Sequence, residues 1–106
     1  MAETVYWHPQ ARIDLEKLSQ KKQDLITERV GEFSREGTSY KHFGRVTVQE
    51  NSFDKFKIKA KETEPFEVNQ RVIIDRYQNS WIIWGVKHRE NVYESEFVEE
   101  IMEREY

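Results

Sequence analysis

The chain has 106 residues and no cysteine, with 17 Lys plus Arg against 20 Asp plus Glu and a formal net charge of −3. That length suits a single domain, and the lack of cysteine excludes a disulfide framework, a thiol nucleophile and a cysteine-ligated zinc site. Charged residues make up 35% of the chain, but six Phe, five Tyr and three Trp supply enough buried area for a small core, which argues against wholesale disorder. No apolar stretch approaches the roughly 18 residues of a membrane span, and the opening MAETVYWHPQ has no basic region followed by an apolar one. A soluble cytoplasmic protein is the expectation.

Residues 4–7 are β-branched and aromatic and suit a first strand, which His8-Pro9 interrupts. Pro9 fits the first turn of a helix, where its missing N–H has no intrahelical partner. Ala11, Leu15 and Leu18 then recur at i, i+4 and i+7, with Arg12, Asp14, Glu16 and Lys17 between them. Ser19-Gln20 reads as a break. A second helix over about residues 22–35 carries Ile26, Val30 and Phe33 at the same spacing and should stop at Gly37, a natural left-handed cap. The two helices form an α-hairpin.

The period then falls from 3.6 to 2. A short strand is expected over residues 44–49, and a clearer one over residues 53–61, where Phe56, Ile58 and Ala60 alternate with Lys55, Lys57, Lys59 and Lys61. Residues 61–70 contain Pro65 and three glutamates and read as a connection. Residues 71–77 form the next strand, Gln78-Asn79 a turn, and the apolar run 80–86 (SWIIWGV) the central strand. Beyond Lys87-His88-Arg89 the helical period returns, with Tyr93, Phe97 and Ile101 on one stripe, Val98 and Met102 beside it, and Glu96, Glu99, Glu100 and Glu103 opposite. The fold class is α+β: an antiparallel sheet packed against an N-terminal α-hairpin, with a C-terminal helix, in one domain over residues 1–106.

Charge is unevenly distributed along this order. Residues 1–42 hold 7 basic and 7 acidic side chains, residues 43–89 hold 9 against 6, and residues 90–106 hold 1 against 7. The excess acid is therefore terminal, and the overall charge does not decide whether the middle of the chain meets nucleic acid. His8, His42 and His88 have no ligand-type spacing, and neither a Gly-rich phosphate loop nor a G-x-S-x-G elbow occurs, so no metal, no cofactor and no serine-hydrolase chemistry is expected. What remains is cations on a sheet. Lys55, Lys57, Lys59 and Lys61 project at steps of roughly 6.6 to 6.8 Å, close to the separation of successive phosphates on a nucleic-acid strand. The same alternation is also what the solvated exterior of a half-buried sheet looks like. Arg71 heads the next strand, and His88 and Arg89 leave the end of the central one. Tyr93 follows about one helical turn later, where it also fits the core stripe of the last helix.

The pieces V-Y-W-H-P-Q-A with D-L-x-x-L, F-K-I-K, Q-R-V-I-I-D and W-I-I-W-G-V-K-H-R-E-N-V-Y, in this order over roughly residues 4–93, resemble the RelE/ParE superfamily of toxins from bacterial type II toxin-antitoxin systems. The RelE branch implies a ribosome-dependent endoribonuclease, an mRNA interferase that works without metal by attack of a 2′-hydroxyl on the adjacent phosphate. Carried over by motif, Lys57 and Lys59 match the two lysines of the family's Y-K-I-K strand, with Lys57 the expected proton acceptor. Arg71 would stabilise the transition-state charge, Arg89 matches the arginine after the central strand, and Tyr93 matches the tyrosine that stacks on or orients substrate. His88 stands where some members use a histidine as acid or base. The implied partners are a cognate antitoxin, mRNA and the ribosome, with no membrane. Two other readings stay open: a ParE-like inhibitor of DNA gyrase on the same scaffold, and a non-toxic relative that binds only protein.

Overall fold

The computed structural model describes residues 3–46, 55–63, 67–90 and 95–104. In chain order the elements are β1 (Val5–Trp7), α1 (Pro9–Glu16), α2 (Gln20–Glu36), a single 3₁₀ turn (Gly37–Ser39), β2 (Phe43–Arg45), β3 (Phe56–Glu62), β4 (Val68–Tyr77), β5 (Ser80–His88) and α3 (Ser95–Glu103).

Local chemistry accounts for the helix ends. His8 caps α1, its ring Nδ1 accepting from the Gln10 backbone N–H at 3.0 Å, with Pro9 in the first turn. Ser19 caps α2 through its Oγ, which accepts from Lys22 N–H, so this helix begins two residues before its apolar stripe suggests. Gly37 ends it with φ +67°, which glycine adopts without a Cβ penalty, but with ψ −150° it is not the left-handed helical cap expected. The stripes then do what their spacing predicts. Ala11 and Leu15 from α1, and Ile26, Val30 and Phe33 from α2, are buried in one cluster with Ile58, Ala60, Val72, Ile74, Trp81, Ile83 and Val86 from a single side of the sheet.

The sheet order is β1-β5-β4-β3-β2. Pairs β2/β3, β3/β4 and β4/β5 are antiparallel, whereas β1 lies parallel to β5, with Val5 opposite Trp81. Alternation within a three-residue strand fixes its faces but not its direction, so the sequence did not reveal this parallel edge. Two other boundaries move. Strand β2 starts at Phe43, whose ring stacks on Phe33 and Phe56 with centroids 5.2 and 5.1 Å away. Strand β4 starts at Val68 rather than at Arg71, because Val68 and Gln70 are buried opposite Glu62 and Ala60 and extend the ladder into the expected connection. Helix α3 buries Ile101 while leaving Met102 exposed, so Met102 does not share its docked side. Arg104, just past α3, ties it down: its Nη1 donates to Asp14 Oδ2 at 3.1 Å and to the Trp84 carbonyl, and its Nη2 to Glu100 Oε1 at 2.7 Å. Among the described residues no helix is long and apolar enough to cross a membrane.

Candidate nucleic-acid interface and active site

Two registers bring the cations together. Lys59 on β3 lies opposite Arg71 on β4, and Arg71 lies opposite Lys87 on β5. Residues directly opposite in an antiparallel pair share a face. Lys59, Arg71 and Lys87 therefore form one row across three strands, on the side away from the helical hairpin. Lys57 sits on the same face one step along β3, opposite Ile73. It lies opposite Gly44 of β2.

Arg71 is held firmly. It is only 6% exposed, and its Nη1 donates to Asn69 Oδ1 and to the Gln70 carbonyl, each at 3.1 Å. Asn69 is two residues earlier on the same strand, hence on the same face, and it fixes one edge of the guanidinium plane. Lys59 and Lys87 beside it are exposed. A buried arginine flanked by two exposed ammonium groups suits a dispersed negative charge such as a phosphodiester.

Farther down the same face, Lys55 is withdrawn from this set. Its Nζ is 2.9 Å from Asp75 Oδ2 and lies 5.7 Å from the centroid of the Trp84 ring. The run of four lysines expected to face a phosphate backbone is thus shortened by one.

His88 and Arg89 part company. The register puts His88 opposite Gln70, on the side of the sheet that carries the core, and its Nδ1 accepts from the Glu90 backbone N–H at 3.2 Å. The structure therefore does not bring His88 to the Arg71 row, contrary to its expected grouping with Arg71. The cause is a β-bulge. From Tyr77 opposite Ser80 to Ile74 opposite Ile83 the ladder is regular, but the next pair is Ile73 with Gly85, which leaves Trp84 as the extra residue. One inserted residue exchanges the two faces of everything beyond it. Without the bulge, His88 would share the face of Arg71; with it, Lys87 does. Lys87 and Asn69 are the site residues that the sequence reading missed, although Asn69-x-Arg71 and Lys87-x-Arg89 both show the period-2 spacing that would have flagged them. The Arg89 N–H donates to the Asn69 carbonyl at 2.8 Å, which sets Arg89 across from Asn69, one step beyond the row. Tyr93 lies outside the described residues.

A second cluster of titratable groups lies on the helix side of the sheet, next to the cation row, where the Lys59 backbone N–H donates to the His42 carbonyl at 2.9 Å. Tyr40, 3% exposed, donates its hydroxyl to Glu32 Oε1 at 2.5 Å, and Arg29 Nη1 donates to the same oxygen at 3.1 Å. The Tyr40 hydroxyl holds the Glu32 carboxyl below its ordinary range against the opposing effect of burial, with Arg29 helping. Burial first, and then the Glu32 carboxylate, push the Tyr40 phenol well above its usual value. The His42 imidazole is held below its ordinary value by burial and then by the positive charges of Arg29 and Lys41. Glu62 also turns to this side, 3.9 Å from Arg29 Nη2, and so away from the lysine face.

A five-stranded, mostly antiparallel sheet backed by an α-helical hairpin and followed by a C-terminal helix is the RelE-like fold, and this chain has it. Two solved structures carry the comparison. The chain is similar to one in the RelBE2 toxin-antitoxin complex from Mycobacterium tuberculosis, with 21% identity and a TM-score of 0.60 over 84% of this chain and 100% of that one. It is also similar to a mutant of the E. coli toxin RelE in the free state, with 17% identity and a TM-score of 0.68 over the whole of both chains. No family model matches the sequence, and neither does any curated protein.

Proposed function

We propose that this protein is a RelE-like toxin of a type II toxin-antitoxin system that cleaves mRNA on the ribosome, in the cytoplasm, and is restrained by a cognate antitoxin. The observation that carries the reading is the row Lys59, Arg71 and Lys87 beside Lys57, which gathers four cations on one side of a rigid sheet. The fold similarity supports it, and so does the antitoxin in the mycobacterial complex.

The chemistry follows from the arrangement. A ribose 2′-oxygen attacks the adjacent phosphorus; the P–O2′ bond forms as the 2′ proton passes to a base, the P–O5′ bond breaks as the departing 5′-oxygen takes up a proton from solvent, and the products are a 2′,3′-cyclic phosphate and a 5′-hydroxyl. Lys57 is the proposed base that accepts the 2′ proton. Arg71 and the flanking Lys59 and Lys87 bear the added charge of the phosphorane, where fixed donors are worth most. Tyr93 is the aromatic that the resemblance implies for holding a base. Arg89 lies one step away and belongs to substrate positioning. Inhibition of DNA gyrase calls for no such row of cations, which favours the nuclease reading.

The test is primer extension on translated mRNA with wild type and Arg71→Ala side by side. Wild type should give discrete cuts ending in a 2′,3′-cyclic phosphate. Arg71→Ala should be about 10² to 10³ slower, the loss of one strong contact to developing charge, with ribosome binding retained. Equal cleavage by both, or none by folded wild type freed of antitoxin, overturns the reading in favour of a gyrase inhibitor or a protein-binding relative.

A further inference from the structure

The cation row has a neighbour. Two residues farther along β3, Lys61 lies opposite Asn69 of β4, and Arg89 lies across from Asn69 through its 2.8 Å backbone hydrogen bond. Lys61, Asn69 and Arg89 repeat the row of Lys59, Arg71 and Lys87, displaced by two residues along each strand, or roughly 6.4 to 6.8 Å. This is about the separation of successive phosphates along a single RNA strand. Both Lys61 and Arg89 are exposed, and among the described residues neither takes part in an ion pair. The carboxylate next to Lys61 in sequence, Glu62, is turned to the helix side near Arg29. Asn69 joins the rows: its Oδ1 is taken by Arg71 Nη1, which leaves its amide NH₂ to donate outward. At the opposite end the path is closed, because Asp75 neutralises Lys55.

We propose that Lys61, Asn69 and Arg89 form a second rung that holds the phosphate next to the one cleaved, so that single-stranded RNA runs along β3. The proposal rests on the nuclease reading above and assigns Lys61 and Asn69 a part in it. Arg71 in the first rung meets the reacting phosphate; Lys61 and Arg89 fix the register of the strand.

The probe is a short single-stranded RNA with 2′-fluoro at the cleavage position and a neutral methylphosphonate replacing the phosphate on one or the other side of it. Wild type should lose about fivefold in affinity at low salt when one of these two linkages is neutralised. Lys61→Gln and Arg89→Gln should each weaken binding of the unmodified RNA by a similar factor and no longer respond to the neutral linkage. Each should also reduce the slope of log K against log salt by about 0.7, the share of one phosphate contact on a single strand. Circular dichroism and melting of both variants guard against misfolding, which these exposed positions are not expected to cause. Wild type indifferent to both linkages, or variants as sensitive as wild type, overturns the second rung while leaving cleavage and its dependence on Arg71 intact. Wild type that neither cuts mRNA on ribosomes nor binds this RNA removes the nuclease reading, and the rung with it.

Discussion

Tyr40 shows how much one side chain can set. Its hydroxyl is the first cause of the lowered Glu32 pKa, and the Glu32 carboxylate in turn helps to raise that of Tyr40. A carboxyl whose folded pKa lies below its unfolded one contributes stability above the unfolded value, and that contribution is lost as pH falls through the folded value. The same direction holds for His42, whose lowered pKa favours the neutral ring: its contribution is present above about 6.5 and is lost as pH falls further. Acid should therefore loosen this corner in two stages, His42 before Glu32. Tyr40→Phe keeps the ring in the core but removes the donor to a charged acceptor. At pH 7 it should cost about 1.5 kcal/mol, the lower end for such a bond because Glu32 reaches solvent. In urea unfolding the gap between variant and wild type should narrow from pH 7 to pH 3, as Glu32 takes up its proton. A gap that does not change with pH would mean that the hydroxyl acts through packing alone. At the candidate site, Asn69→Ala should remove one of the acceptors that orient the Arg71 guanidinium, lowering the cleavage rate by about tenfold with Arg71 still held by the Gln70 carbonyl.

At the scale of elements, the α-hairpin was legible because its apolar residues recur at helical spacing and both joints carry cap chemistry, His8-Pro9, Ser19 and Gly37. The common face of Lys57 and Lys59 was legible because alternation fixes which side a residue takes. Register was not. The Gln78-Asn79 turn, with Gln78 at φ +54°, sets Tyr77 opposite Ser80, but the bulge at Trp84 then decides that Lys87 rather than His88 shares the face of Arg71. In SWIIWGV only Gly85, a glycine inside a strand, signals a bulge, and apolar patterning does not confirm it, since both faces of this central strand are buried and either parity satisfies the pattern. The attachment of α3 was equally hidden, because Arg104 reads as an ordinary charge in an acidic helix. Its side chain is 5% exposed and spans Asp14, Glu100 and the Trp84 carbonyl. Arg104→Ala removes the cation from a largely buried pair, which should cost about 2 to 3 kcal/mol, or roughly 10 to 20 °C in melting temperature for a domain of this size. Glu100→Ala removes only the exposed i, i+4 partner and should cost no more than about 0.5 kcal/mol. Equal losses in thermal melts of the two variants would show that Arg104 acts only through the helix surface.

The whole molecule, 35 × 33 × 24 Å across its described residues, keeps its opposite charges on different elements. Lys57, Lys59, Arg71 and Lys87 occupy the sheet, whereas Glu96, Glu99 and Glu103 are exposed on α3. With the chain at −3, a polyanion approaching from beyond a Debye length meets net repulsion before it meets the cation row. Changing Glu96, Glu99 and Glu103 together to Gln removes three negative charges without breaking any ion pair seen among the described residues, so folding stability should change by less than about 0.5 kcal/mol. Long-range attraction is a matter of rate. The association rate with single-stranded RNA should rise several-fold at about 20 mM salt, where the Debye length is roughly 20 Å, and the difference should vanish near 0.5 M. Dissociation should stay unchanged, because α3 is not part of the proposed contact. Stopped-flow mixing of wild type and the triple variant over this range separates the effects. A change confined to the dissociation rate would place the acidic helix against the RNA, and a salt-independent difference would mean that the substitutions had altered the sheet face itself.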